Sequence, residues 1–330
     1  MAGSLLISIL VILVSSFFIY LAGKKFAESS SKIGDYFRIP RDVKGATLDA
    51  ISSSLPELLV ALFAVILFKQ FEVGIGTIAG SALFNLLVIP GICVFLAPVA
   101  FKVGKKVISR DALFYLISIF ALIILIIYFK KWGIIISLVL LGIYLIYVFE
   151  IATHTKKHRK ENPDKKGKSK KGINITKEFI IFFLTMAVIA FFAYLLTDHS
   201  IQLSSFLGVP AIIIAFTVTA AATSLPDTII SAANARKGDI DDATSNVFGS
   251  NIFDILVGLG LPLLIYTLIK GPLTIAFDNL EIVLGLLGAT ILTIYFFMND
   301  DILSKKEAVI LLLLYALFIT YIVLLSIGIV

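Results

Sequence analysis

The chain has 330 residues, 59% of them hydrophobic and only 15% charged, with a mean hydropathy of +1.04. A soluble domain of this length has too little interior to hide that much apolar surface, so the composition indicates a membrane protein. The formal net charge of +6 does not point to nucleic acid, because the basic residues gather in a few loops, as in a chain that sets its orientation across a bilayer. The single cysteine, Cys93, excludes an internal disulfide. The three histidines, His154, His158 and His199, fall in polar stretches read as loops, which argues against a histidine metal site.

A spanning helix needs about 20 mostly apolar residues. In chain order such runs occur at roughly 4–22, 43–68, 73–98, 111–129, 132–149, 178–197, 209–235, 243–269, 280–298 and 308–329. The first has no basic stretch before it and no small-residue cleavage site, so it reads as a span rather than a signal. Spans two, three, seven and eight carry Gly, Pro, Ser, Thr and acids that a lipid-facing helix avoids.

Lys and Arg concentrate after odd-numbered spans: Lys24, Lys25, Lys32, Arg38 and Arg41, then Lys102, Lys105, Lys106 and Arg110, then the segment 151–177. The positive-inside rule places both termini outside and segment 151–177 in the cytoplasm. That segment is charged and poor in apolar residues, and is expected to be a disordered linker. It separates residues 1–150 from 178–330, five spans each, and an odd number per half makes the halves inverted. The expected fold is an all-α membrane protein of about ten transmembrane helices in two inverted-topology five-helix repeats.

An internal repeat carries the chemistry. Residues 47–61, TLDAISSSLPELLVA, align without a gap to 217–231, TVTAAATSLPDTIIS; 80–85, GSALFN, align to 249–254, GSNIFD, one residue out of step. Paired blocks in inverted halves mark an inverted-repeat secondary transporter. Pro56 lacks an N–H and its ring clashes with the preceding turn, so the helix is expected to break just before it. The break frees carbonyls near Ala50 and Ile51, with Ser53 and Ser54 capping the new helix start and Glu57 in its first turn. The second half repeats this with Thr223, Ser224, Pro226 and Asp227, freeing carbonyls near Ala220.

Glu57 and Asp227 thus become buried carboxylates near the bilayer midplane, costly unless neutralised or paired. No basic residue lies within the four motif-bearing spans, which leaves a metal cation as the partner. Adding the Asn85 amide and the Asp254 carboxyl makes the donor set all oxygen. Without Cys or His the set excludes soft metals and suits a hard cation, Ca²⁺ or Na⁺. Two carboxylates balance one Ca²⁺, or two or more Na⁺ if Asp254 shares the load. An empty site with uncompensated carboxylates resists crossing between states, so obligatory exchange follows.

Ordinary readings stand beside these. A lone S-x-P-E is a common helix cap, and Ser81 and Ser250 after Gly are ordinary small-residue contacts. Asp49 lies one turn before Ser53 on the same face, opposite Thr219 in the other half; it either extends the ion path toward the cytoplasm or is solvated in a vestibule. Glu72, Asp239, Asp241 and Asp242 read as solvated loop acids, and Asp278 and Glu281 as interfacial anchors.

GATLDAISSSLPE at 45–57, GIGTIAGSALFN at 74–85 and GSNIFDILVGLGLP at 249–262 resemble the alpha-repeats of the sodium/calcium exchangers, in the cation/calcium antiporter superfamily. The resemblance covers roughly 43–98 and 209–262 closely, and the 249–262 block is similar to the potassium-dependent branch. It implies a Na⁺/Ca²⁺ antiporter working by alternating access, in which the first and sixth spans slide across the core, and four central cation sites. By position the ligands would be Ser53, Ser54, Glu57, Ser81, Asn85, Thr223, Ser224, Asp227, Ser250 and Asp254, with backbone carbonyls at Ala50 and Ala220. The chain departs from the pattern at several positions: Ser52-Ser53 stands for Gly-Thr, Ala222 stands for Gly, and Asp49 for an apolar residue. Asp227 departs from the microbial pattern, which has Glu, though animal exchangers resemble this sequence there. The expected protein is a plasma-membrane carrier that works as a monomer in the bilayer, with Ca²⁺ and Na⁺ as cargo, no cofactor and no nucleic-acid partner. Rival readings are K⁺-dependent or H⁺-coupled exchange, another divalent, a cation channel, and an intramembrane aspartyl protease; the last lacks its Y-D and G-x-G-D motifs.

Overall fold

The computed structural model describes residues 2–39, 44–105, 107–161, 173–275, 280–299 and 302–326. The described chain is almost entirely helical, and ten helical segments follow the ten apolar runs. They are α1 (Ala2–Tyr36), α2 (Ala50–Ile66), α3 (Phe71–Leu96), α4 (Leu113–Tyr128), α5 (Ile134–Glu161) and α6 (Ile175–Leu207). There follow α7, in two pieces (Ala211–Thr223 and Leu225–Lys237), α8 (Ile240–Lys270), α9 (Leu280–Met298) and α10 (Lys305–Ser326). Eight of the helices are individually long and apolar enough to span a bilayer, the two pieces of α7 qualify together, and Ile282–Met298 is a shorter apolar helix.

Two helices overrun their apolar stretches. α1 has 35 residues and α6 has 33, against expected spans of 19 and 20 residues, 4–22 and 178–197. Lys24, Lys25 and Lys32 are therefore helical rather than loop residues, and so is His199. The extra turns are supported by each other. α1 and α6 run antiparallel, with Ser8 bonded to His199 (3.2 Å), Phe18 stacked on Phe192 (4.5 Å), Phe26 on Phe182 (4.4 Å) and Ser29 bonded to Glu178 (2.9 Å). α6 stops only at Gly208, whose φ of +68° closes the helix with a left-handed residue that favours glycine. The ends of the basic linker are likewise helical, through Glu161 and from Ile175; residues 162–172, with Arg41, Lys106 and Asp278 elsewhere, lie outside the described residues, as does the side chain of Glu281.

The remaining helices form a core around α2, α3, α7 and α8. α3 is the most enclosed candidate span, with 78% of its apolar window buried, against 22% for α1 and 17% for α6. This reverses the order in a soluble protein: the helices richest in Gly, Ser and acids are inside, and plainly apolar ones face lipid. Small residues allow the close approach. A Cβ on Gly80 would lie 2.1 Å from the Phe216 carbonyl oxygen, and one on Gly76 would lie 2.7 Å from that of Ile212. α3 and α7 therefore touch backbone to backbone.

Two short pairings brace the loops at opposite ends. Lys131-Trp132 pairs antiparallel with Leu273-Thr274, joining the α4–α5 and α8–α9 connections. At the other end Lys102 bridges Ile302 and the Gly104 amide donates to Asp241 (2.7 Å). The α3–α4, α7–α8 and α9–α10 connections thus share one face, here called the basic face, together with the Lys32–Glu178 pair (2.9 Å).

The broken helices differ from expectation in one respect. α2 runs through Pro56 without a cap or sharp bend. Ser53 and Ser54 are interior helix residues, and the loosening sits upstream in a widened π turn, Gly45–Asp49. In the second half an equivalent π turn, Ala215–Thr219, is followed by the expected break: α7 bends by 43° at Ser224, with Pro226 and Asp227 in the first turn of its second piece. The two π turns are 170 residues apart, the same offset as the sequence repeat. π turns inside α-helices are rare and often sit at functional sites, and here one precedes the proline in both halves, although only α7 bends.

Candidate functional site

Each helix of the core contributes two or three polar groups to a single buried cluster. α2 supplies Ser53, Ser54 and Glu57; α3 supplies Ser81 and Asn85; α7 supplies Thr223, Ser224 and Asp227; α8 supplies Ser250 and Asp254. All ten are 0% exposed. In α2 and α8 the i, i+4 spacing of 53 and 57 and of 250 and 254 puts both groups on one face.

Hydrogen bonds cross the halves. The hydroxyls of Ser53 and Ser250 meet at 2.9 Å, and the Ser224 hydroxyl donates to Ser81 Oγ at 2.9 Å. Ser81 lies 3.3 Å from Glu57 Oε1 and 3.4 Å from Asp254 Oδ2, and its inverted counterpart Ser250 donates to Asp227 Oδ1 at 2.6 Å. Asn85 Nδ2 reaches Asp227 Oδ2 at 3.4 Å. The repeat therefore holds in the side-chain contacts: Ser81 serves Glu57 as Ser250 serves Asp227.

The backbone groups expected to be free are partly occupied. The Ala50 carbonyl accepts from Ser53 Oγ (3.2 Å). The Ala220 carbonyl accepts from Thr223 Oγ1 (3.2 Å) and from the Ser224 amide (3.0 Å). A carbonyl has two lone pairs, and the Ala220 oxygen already has two donors, so it serves as a ligand only by releasing one of them.

The cluster is short of protons and positive charge. Four of its buried oxygen atoms have no hydrogen-bond partner: Ser54 Oγ, Glu57 Oε2, Asn85 Oδ1 and Asp254 Oδ1. None of the ion pairs among the described residues involves Glu57, Asp227 or Asp254. Native proteins pair buried polar atoms almost always, because each orphan costs about 1–3 kcal/mol and a charged one more. Four acceptor-type oxygens in one cluster, three from acid or amide groups, ask for a cation. Among the described residues no three acids, histidines or cysteines converge on a common point. The carboxylates are instead interleaved with hydroxyls and an amide, the mixed oxygen environment that Ca²⁺ and Na⁺ accept.

Two buried residues that sequence reading passed over complete the picture. Asn251 receives a bond from Asn85 Nδ2 (3.0 Å) and gives one to the Ala82 carbonyl (3.1 Å). It locks α3 to α8 beside Asn85, and its place in the GSNIFD block, opposite Ala82, was the available signal. Asp111 is 0% exposed and sits in a fork from Arg110, at 2.6 and 2.9 Å, with Ser245 (3.0 Å) and Tyr147 (3.3 Å) around it. Arg110, counted from sequence as a loop charge, turns inward. The contrast is informative: where a buried acid is structural, the chain supplies its own cation.

Of the other sequence candidates, Asp49 is half-buried at the basic-face end of α2. Glu72, Asp241 and Asp242 lie in first helical turns and Asp239 at the start of α8, rather than in free loops.

The family model described as sodium/calcium exchanger protein matches residues 7–151 and 177–324. Inner membrane protein YrbG of Escherichia coli is 26% identical over 267 residues, covering 79% of this chain and 81% of that protein. Sodium/potassium/calcium exchanger 3 of Homo sapiens is 41% identical over 123 residues, 37% of this chain but only 19% of the human protein. The fold matches that of the sodium-calcium exchanger NCX_Mj with a TM-score of 0.64 at 24% identity, covering 96% of this chain and 98% of that one. This chain is a multi-pass membrane protein of the sodium/calcium exchanger family.

Proposed function

We propose that the protein exchanges Na⁺ for Ca²⁺ across the plasma membrane by alternating access. The observation that carries this reading is the set of three wholly buried carboxylates, without a basic partner, among four unpartnered oxygens. Glu57 and Asp227, one from each half, would hold Ca²⁺ between α2 and α7. Ser53, Ser54, Ser81, Asn85, Thr223, Ser224, Ser250 and Asp254, with the carbonyls of Ala50 and Ala220, would complete the Na⁺ sites. A single Ca²⁺ neutralises two carboxylates and several Na⁺ do the same with less charge each. Either load lowers the cost of moving the cluster through its occluded state, while the empty cluster keeps its full charge. Exchange rather than leak follows.

The lid in this scheme is the α1–α6 pair. Gly23 of α1 rests on the ring of Pro226, with room for only 3.0 Å between an added Cβ and the ring. Leu55 beside Pro56 packs with Phe26 of α1 and Ile189 of α6. The pair therefore lies across both motif turns, and its sliding would expose first one and then the other. The organisation proposed is a first repeat over 1–150 and a second over 178–330, joined by 151–177, with both termini outside, the basic face in the cytoplasm, one chain as the working unit and no cofactor.

Coupling to K⁺ is the second reading, supported by the local likeness to the sodium/potassium/calcium exchangers. Uptake of ⁴⁵Ca²⁺ into Na⁺-loaded vesicles tests both. Uptake should collapse when the Na⁺ gradient is abolished and in Glu57→Gln; survival in either case ends the exchange reading. Dependence on added K⁺ selects the second.

A further inference from the structure

The inverted repeat gives each end of the cluster an equivalent approach, and the two approaches are not chemically equal. On the basic-face side the π turn Gly45–Asp49 packs against the first turns of α8. On the other side its counterpart, Ala215–Thr219, packs against α3. Carrying the repeat offsets through, Asp49 corresponds to Thr219, Asn246 to Thr77 and Asp242 to Val73. One approach thus carries two acids and an amide, and the other two hydroxyls and a methyl-bearing side chain.

Their packing differs in the same sense. Thr77 and Thr219 are 0% exposed and their hydroxyls are spent, on the Val73 carbonyl (2.9 Å) and on Ser200 (2.9 Å). Gly76 and Gly80 close that side backbone to backbone. On the basic-face side the residue equivalent to Gly80 is Gly249, where an added Cβ would meet nothing nearer than 3.9 Å. Asp49 is half-buried and Asp242 exposed.

Between that mouth and the cluster stands Asn246, 7% exposed. It is one turn before Ser250 and one turn after Asp242 on α8, and its side chain faces the Asp227 carboxyl. Its amide nitrogen is fixed by Ser231 (3.1 Å), and its Oδ1 is buried and unpartnered. An amide held by its donor end, with its acceptor end open, is oriented as a cation ligand. The charged groups facing Asp49 are Lys44, Asp242 and Asp35. Lys44 is itself held by Asp35 (3.0 Å) and Ser31 (2.8 Å), so its direct ion pair is with Asp35 rather than with Asp49.

We propose that Asp49, Asp242 and the Asn246 carbonyl oxygen form a staging site for the entering hard cation on the basic-face approach, with no equivalent on the other side. It rests on the exchange reading for its cargo. It binds more weakly than the central cluster, because it is part solvated and lacks hydroxyl ligands. Its effect is to raise the local cation concentration next to Asp227 on the side where Ca²⁺ is scarce.

The test replaces each residue by its counterpart from the other half, Asp49→Thr and Asn246→Thr, alone and together, in the full chain. Na⁺-driven Ca²⁺ flux is measured in everted and in right-side-out vesicles, with Ca²⁺ varied on the exposed face. The double variant should raise half-saturating Ca²⁺ about tenfold on the basic face, the scale of electrostatic focusing at a charged mouth. It should leave the opposite face and the saturated rate unchanged. An equal shift on both faces, or none, overturns the proposal. Equilibrium ⁴⁵Ca²⁺ binding to purified Glu57→Gln protein separates this from failure of exchange itself. A weak site that persists there and disappears on adding Asp49→Thr supports the mouth even if the wild type shows no Na⁺-coupled flux; no weak site, or one untouched by Asp49→Thr, counts against it.

Discussion

Replacing Glu57 by Gln removes one charge from the cluster while keeping its shape. Two effects follow, of different sign. In the ion-loaded protein a carboxylate oxygen at about 2.4 Å from Ca²⁺ is lost as an anionic ligand. Removing one partner from a buried, hydrogen-bonded charge pair costs about 3–5 kcal/mol, and about 1.4 kcal/mol is a factor of ten. Ca²⁺ affinity should therefore fall by roughly 10²–10³-fold. In the ion-free protein the same change removes an uncompensated acid that faces Asp254 and Asp227 with no cation among the described ion pairs. Stability without ions should stay level or rise. The amide still accepts from Ser81, which lies 3.3 Å from Oε1 in the native protein. The assay is thermal unfolding in detergent with and without Ca²⁺, beside the flux measurement. Wild type should gain several degrees from Ca²⁺ at a concentration that saturates the central cluster, as any ligand bound only by the folded state confers, and Glu57→Gln should gain far less at the same concentration. If Glu57→Gln unfolds markedly earlier than wild type in ion-free buffer, Glu57 is holding the fold together and the cation argument fails.

Other substitutions separate site from scaffold. Asp254→Asn makes the second half resemble the first at Asn85 and should raise the half-saturating Ca²⁺ or K⁺ concentration about tenfold, read in vesicle flux, with little change in ion-free melting. Asp111→Asn should do the reverse: it strands Arg110 in a buried fork and costs about 3–5 kcal/mol of stability, seen as lost yield and a lower melting temperature, while surviving protein binds Ca²⁺ normally. Gly80→Ala should prevent folding or transport, since its Cβ would sit 2.1 Å from the Phe216 carbonyl oxygen. Gly249→Ala, with 3.9 Å of room at the equivalent place, should express and transport near wild-type level.

Much of this protein is legible one residue at a time. Ten apolar runs give ten helical segments because lipid demands that every backbone group be satisfied within its own helix. The repeat of S-L-P-acid and GS-x-x-x-N/D picks out eight of the ten side chains that the structure brings together, and the hydroxyl residue before each S-L-P, Ser53 and Thr223, is the remaining pair. Helix lengths were not legible in the same way. α1 and α6 extend far past their apolar runs because each supplies the other's polar partners, Ser29 to Glu178 and Ser8 to His199.

The proline motifs show the division most clearly. Sequence determines that both helices carry a proline beside an acid, and hence that both backbones loosen near it. Only the tertiary structure decides how: both carry a π turn upstream, but α7 also bends at Ser224 while α2 runs on unbroken. The same holds for charge. Sequence counts Arg110 and Asp111 as it counts Glu57 and Asp227. Packing alone gives the first acid its guanidinium at 2.6 Å and leaves the others with oxygen neighbours, because which helix faces which is set by contacts far apart in the chain.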